Sequence, residues 1–228
     1  IDAEYALVMD AEGTVYFERN AQSPTQIASI TKIMTAVVAL DAVEAGETSL
    51  DAAIPVSAAA AAVGESSAGL QEGDVMDLEA ALKALLVPSG NDAAVAIAEA
   101  LGGSVEAFVE RMNEKAAELG CLDTVYENPH GLDYDQYAGD LHSTAADVAA
   151  VVRHAMENDL FRSIVSGGST DIAVVRDGAE ATIHLETTDG FLDVYEHAIG
   201  VKTGFTALAG PSFAGAADNG QRELYAIV

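Results

Sequence analysis

The strand-forming segments of this chain are confined to its two ends. Tyr5–Asp10 and Thr14–Arg19 are β-prone runs around a glycine-containing turn, which predicts a hairpin. Beyond residue 170, Asp171–Arg176, Ala181–Glu186, Ile199–Thr203, Ser212–Ala216 and Arg222–Val228 read as strands, and Asp218-Asn219-Gly220 is a hairpin signal between the last two. Residues 51–157 are instead helical and alanine-rich. This order predicts an α+β fold: one antiparallel sheet built from both termini, flanked by helices, with a helical subdomain inserted. We expect a single catalytic-sized domain over 1–228, with 1–50 and 158–228 holding the sheet and 51–157 mainly helical. A chain of 228 residues can bury a substantial core.

Helix signals fill the interior. Over Ser29–Ala45, residues Ile30, Ile33, Met34, Val37 and Val38 fall on one face and Gly46 supplies the stop, which predicts a central helix. Leu78, Ala81, Leu82 and Leu85 form a short face ended by Pro88, and Asp92–Leu101 forms another. Ser104 is placed to cap a helix with Val105, Phe108, Val109, Met112, Ala116 and Leu119 inward, ending at Gly120. Ser143 is placed to cap the next, whose face is Val148, Val151, Val152, Ala155 and Met156. Ala58–Ala62 reads as a packed helical turn.

Charge excludes several roles. With 37 acidic and 10 basic residues the net charge is −27, so nucleic acid and anionic membrane surfaces would be repelled. No apolar run reaches the ~18 residues that span a bilayer. Cys121 is the single cysteine, and His130, His142, His154, His184 and His197 do not cluster, so no metal-ligand spacing is visible and no cofactor is implied. The start at Ile1 and the abrupt end after Glu223–Val228 read as a chain cut at both ends.

Three short motifs occur in order: Ser29-Ile30-Thr31-Lys32, Ser89-Gly90-Asn91 and Lys202-Thr203-Gly204. Each is weak alone; together their chance occurrence is roughly one in a thousand. Residues three apart share a helix face and lean toward its start, so Lys32 reaches back to Ser29. A serine hydroxyl becomes a nucleophile when a neighbour takes its proton, and a lysine can do so once burial or a nearby cation lowers its pKa. Lys202 could be that cation. The plainer alternative makes Ser29 an ordinary helix cap and Lys32 a solvated first-turn residue. Ser89 and Asn91 lie in a bend where capping is the usual role, or else point into a cleft, Ser89 relaying protons and Asn91 bonding a substrate amide. Lys202-Thr203-Gly204 reads as a strand end, either a plain turn or a place where glycine lets a ligand backbone approach while Lys202 and Thr203 bind its carboxylate.

The set S-x-x-K, S-x-N and K-T-G resembles the penicillin-recognising serine enzymes, and most of all the low-molecular-mass D-Ala-D-Ala carboxypeptidases. Ala28–Thr35, Pro88–Ala93, Asn128-Pro129-His130-Gly131-Leu132 and Gly200–Thr206 are also similar to that family. The resemblance implies attack by Ser29 on the carbonyl between two D-alanines of a peptidoglycan stem peptide, then hydrolysis of the acyl-enzyme, outside the cytoplasmic membrane. It implies Lys32 as base, Ser89 and Lys202 assisting proton movement, Asn91, Thr203 and Gly204 holding substrate, and an oxyanion hole from the N–H groups of Ser29 and Phe205. β-Lactams would acylate the same serine. Three features depart from the family. Its arginine after the final strand and its last helix have no counterpart here, and its asparagine-containing stretch before K-T-G is replaced by Leu185-Glu186-Thr187-Thr188-Asp189. A class A β-lactamase would need an E-x-x-x-N segment, which is absent. A penicillin-recognising module without turnover is the remaining alternative.

Overall fold

The two ends of the chain meet in one sheet. In the computed structural model, which describes residues 2–228 and so leaves the reading of Ile1 outside, β1 (Ala6–Asp10) pairs antiparallel with β9 (Glu223–Ile227), Leu7 opposite Ile227. The predicted hairpin adds β2 (Val15–Arg19) on one side. On the other side lie β8 (Gly210–Asp218) and the edge strand β7 (Ala198–Thr206), giving the order β2-β1-β9-β8-β7. The turn at Asp218-Asn219-Gly220 forms as expected, with Asn219 Oδ1 accepting from the backbone of Gln221 and Arg222, both at 3.0 Å.

The expectation of a single sheet is corrected. Segments 171–176 and 181–186 form β5 (Thr170–Arg176) and β6 (Ala179–Leu185) of a second, four-stranded sheet, β3-β4-β5-β6. Its first members are β3 (Ala53–Pro55) and β4 (Val75–Asp77), which lie inside the stretch read as helical. Three residues are too few to display strand alternation, which is why they leave no pattern. Arg176 fastens this sheet by a forked ion pair to buried Asp74, Nε to Oδ1 at 2.8 Å and Nη2 to Oδ2 at 2.6 Å.

Eight helices accompany the sheets among the described residues. A 3-10 turn, Ala28–Ile30, runs straight into α1 (Thr31–Glu44). There follow α2 (Ala58–Ala61), α3 (Leu78–Leu86), α4 (Asn91–Gly102), α5 (Val105–Glu118), α6 (Ala145–Ala155), α7 (Asp159–Ser166) and α8 (Phe191–Val194). The sequence face of α1 is buried as expected, but so is every residue from Thr31 to Leu40. Helices α3, α4, α5 and α6 all pack on it, so it is a core helix. Ser104 caps α5, accepting from Ala107 N at 3.1 Å. Ser143 does not cap α6. Its hydroxyl is bonded to Thr124 Oγ1 at 2.7 Å, and Thr144 takes the cap, accepting from Asp147 N at 3.0 Å. No helix among the described residues is long and apolar enough to cross a membrane.

One buried carboxylate fixes the start of α4. Asp92 accepts from Ser67 Oγ (2.6 Å), Ala68 N (3.0 Å), Leu70 N (3.2 Å) and Ala93 N (2.9 Å), pinning the 66–70 loop to the helix. Asp92→Ala strands three backbone donors in a dry site, each worth about 1–3 kcal/mol. We expect it to lower unfolding free energy by at least about 3 kcal/mol in urea denaturation; a change within about 0.5 kcal/mol would contradict this role.

Candidate active site

The first motif begins in the 3-10 turn. Position Ile30 is the helix cap and no side chain caps α1, so the reading of Ser29 as an ordinary cap fails. Its hydroxyl instead receives a hydrogen bond from Lys32 Nζ at 2.8 Å. Ser29 is half-buried, whereas Lys32 is 0% exposed. The amine donates a second bond, 2.8 Å, to the His130 carbonyl. The loop supplying that carbonyl is built from within. Asn128 Oδ1 accepts from Gly131 N (2.7 Å) and His130 N (3.2 Å), its Nδ2 donates to the Leu132 carbonyl (2.9 Å), and Thr35 Oγ1 donates to the Pro129 carbonyl (2.6 Å). Gly131 has φ +93°, and a Cβ there would strike the Ala28 carbonyl, so this loop can close over the serine turn only with glycine.

Burial decides the charges. Lys32 is held well below the ordinary lysine value, first by desolvation and then by Lys202, with Asp92 opposing. Lys202, 1% exposed, is pushed down to about 7 by burial, with Asp189 opposing. The reading of Lys202-Thr203-Gly204 as a strand end is therefore corrected: the motif lies within β7, and its register places Lys202 on the row Ala214, Ile227 and Leu7, all core residues. Burial and the Lys32 charge lower His130 to about 3, so its ring is neutral, with Nδ1 accepting from Leu132 N at 3.2 Å.

The third motif reaches the first through Gly204. A Cβ at Gly204 would sit 3.3 Å from both Ser29 N and Ala28 Cβ and 3.2 Å from the Ile27 carbonyl. The missing side chain permits the close approach of the chain's own serine turn. Register then exposes the strand edge. Phe213 exchanges both backbone bonds with Val228 (2.8 and 2.9 Å), so its partner Thr203 is a non-hydrogen-bonded position on β7. Phe205, two residues on and opposite Pro211, repeats that pattern. The N–H and C=O groups of Thr203 and Phe205 therefore face away from β8, toward the open edge. The Thr203 carbonyl there receives Lys202 Nζ at 3.0 Å.

The second motif joins the same cleft indirectly. Ser89 has φ +65°, and its Oγ is buried without a hydrogen-bond partner. Asn91, the first residue of α4, donates from Nδ2 to the Gly64 carbonyl at 3.0 Å, while its Oδ1 is buried and unpartnered. Two buried polar atoms left unbonded are costly in a finished core and suited to a site awaiting a ligand. Thr188 bridges the second and third motifs. Its N–H bonds the Val87 carbonyl (3.1 Å) and its hydroxyl lies 2.8 Å from Thr203 Oγ1.

Residues 1–228 match the Peptidase_S11 family, described as D-alanyl-D-alanine carboxypeptidase. The chain belongs to that family. It is 32% identical over 228 residues to D-alanyl-D-alanine carboxypeptidase DacF of Bacillus subtilis, covering all of this chain and 57% of that protein. DacB2 of Mycobacterium tuberculosis is 35% identical over 223 residues, covering 97% of this chain and 72% of that protein. The Streptomyces K15 DD-transpeptidase structure superposes with a TM-score of 0.93 at 31% identity, covering 100% of this chain and 89% of that one. The chain thus spans little more than half the length of DacF.

Within this S11 fold, three features carried no signal that the motifs revealed: the His130 carbonyl on Lys32, the carboxylate of Asp92, and Thr188 on Thr203. A backbone carbonyl is invisible in sequence, although Asn128-Pro129-His130-Gly131 announces a tight turn. Cys121 is buried and its thiol is pushed up to about 12 by burial and Asp147, so it is an inert packing residue.

Because Lys202 loses protons more readily folded than unfolded, stability rises with pH from about 7 toward the ordinary lysine value of 10.5, and the buried ammonium is a destabilising element below that window. In Lys202→Met this rise of stability between about pH 7 and 10.5 should be lost, while β-lactam acylation slows about a hundredfold or more. A variant that keeps the parent's rise of stability over that window, or acylates normally, contradicts this assignment.

Proposed function

We propose that this chain is the catalytic unit of a serine D-Ala-D-Ala carboxypeptidase acting on peptidoglycan stem peptides outside the cytoplasmic membrane. The observation that carries the reading is a fully buried amine, Lys32, bonded to the hydroxyl of a half-buried serine. In its neutral form Lys32 offers a lone pair to the Ser29 proton, held in place by its bond to the His130 carbonyl. The freed Ser29 oxygen attacks the carbonyl of the penultimate D-alanine. Negative charge on the carbonyl oxygen is met by the N–H groups of Ser29 and Phe205, the latter turned outward by the register of β7. A proton passes to the departing D-alanine nitrogen with Ser89, whose hydroxyl has no competing partner, as relay. Water then cleaves the ester and returns Ser29.

Substrate placement follows from the same surfaces. An extended peptide can lie along the open edge of β7 and bond Thr203 and Phe205 as an added strand. Lys202, charged, and the Thr203 hydroxyl are positioned to hold the terminal carboxylate, and Asn91 to bond the peptide amide through its unpartnered Oδ1. A β-lactam, a strained cyclic amide bearing a carboxylate, presents the same groups and would leave an ester on Ser29. The charge of −27 keeps nucleic acid off the list of partners.

Labelling with a fluorescent penicillin, followed by peptide mass mapping, should place the adduct on the peptide containing Ser29, and Ser29→Ala should abolish it. Release of D-alanine from a pentapeptide should disappear in the same variant. Label retained in Ser29→Ala, or mapped to another hydroxyl, would sink the assignment.

A further inference from the structure

Asp189 lies in the loop between β6 and α8. It is 5% exposed. One carboxylate oxygen serves the local backbone, since Oδ1 accepts from Phe191 N at 2.9 Å and closes the turn into α8. Closing that turn needs one acceptor and no charge, and an asparagine would do it equally well. The other oxygen, Oδ2, is buried and bonded to nothing. A buried carboxylate with a free oxygen is expensive unless a cation faces it.

The surroundings identify that cation. The loop is tied to the K-T-G strand by the Thr188–Thr203 hydroxyl contact of 2.8 Å. Of the elements packed on β7, α8 brings Asp193, which acts on Asp189 as a like charge. Helix α7 brings Asp159 at its start and Arg162, whose guanidinium is engaged by Glu223 at 2.8 Å. Strand β8 brings Asp218, which faces Arg162, and the 3-10 turn brings no charged residue. Lys202 is the one cation that acts on Asp189, and Asp189 the one carboxylate that acts on Lys202. Lys32 in turn feels Lys202 and Asp92.

We propose that Asp189 is a positioning residue for the reaction: its buried carboxylate keeps Lys202 an ammonium beside a neutral Lys32, so that one buried lysine binds anion while the other accepts a proton. The proposal rests on the carboxypeptidase reading for its consequence, but not for its test. Burial alone drives both lysines toward the neutral state, and a neutral Lys202 would neither hold a substrate carboxylate nor hold Lys32 down. Asp189 separates the two. Its own carboxyl is raised by burial, with the Phe191 N–H and then Lys202 opposing, so a charge on Lys202 favours the charged form of Asp189.

The chain has four lysines, so their ammonium signals can be resolved and titrated by NMR in the full protein. In Asp189→Asn, the Lys202 midpoint should fall from about 7 by about one pH unit or more. In Thr188→Val, which loosens the same loop without removing charge, it should stay within a few tenths. The descending limb of the β-lactam acylation profile should move down by the same amount in Asp189→Asn, while the adduct stays on Ser29. An unmoved Lys202 midpoint overturns the role of Asp189 even if Ser29 is labelled normally, and an adduct elsewhere overturns the carboxypeptidase reading even if the midpoint moves. Should Asp189→Asn not fold alone, Asp189→Asn/Lys202→Met removes both charges. Recovery of folding in the pair supports the coupling, and failure to recover contradicts it.

Discussion

The site depends on keeping one amine dry. An ammonium in water has no lone pair for a serine proton at neutral pH, so Lys32 can act as a base only where solvation is withdrawn. That requirement explains why α1 is enclosed on every side for its first three turns instead of presenting one apolar face. It also explains the 128–132 loop, which closes over the helix start and supplies a carbonyl that holds the amine without supplying charge. Lys202 adds a second push in the same direction. Two buried lysines are an unfavourable inclusion in a core, and the surrounding apolar helices offset them.

The rest of the fold brings three distant segments to that amine. A sheet made from both termini leaves β7 at one of its two edges, and the missing side chain at Gly204 lets that edge pack directly against the serine turn. Asp92 fixes the start of α4, and with it the bend that carries Ser89 and Asn91. Thr188 ties that bend to the strand. Surface acidity plays no part in this geometry; its effect is to repel polyanions and to leave the buried lysines among the few cations of the chain.

Much of this was legible before the structure. Helices with regular apolar spacing and local stops, such as the one capped by Ser104, form where their pattern puts them, because their signal is internal to the segment. The three motifs were legible for the same reason. What could not be read depends on contacts between segments. The second sheet draws on triplets too short to alternate, and Thr144 displaces Ser143 as a cap because Thr124 claims the serine. The burial of Lys202 is not readable from a lysine in a strand; it needs the register that sets it across from Ala214. Asp189 carries no motif of its own, and its meaning comes from a buried oxygen with no partner.

The central claim is that Lys32 is neutral at working pH because it is buried. Its most direct test is the second-order rate of β-lactam acylation of Ser29 measured against pH in the unaltered protein. The rate should rise through a midpoint well below the ~10.4 of a free lysine, tracking the loss of the Lys32 proton, and fall again as Lys202 loses its charge. A profile that is flat through neutral and mildly alkaline pH, or that rises only near the free-lysine value, would show that Lys32 is not the base.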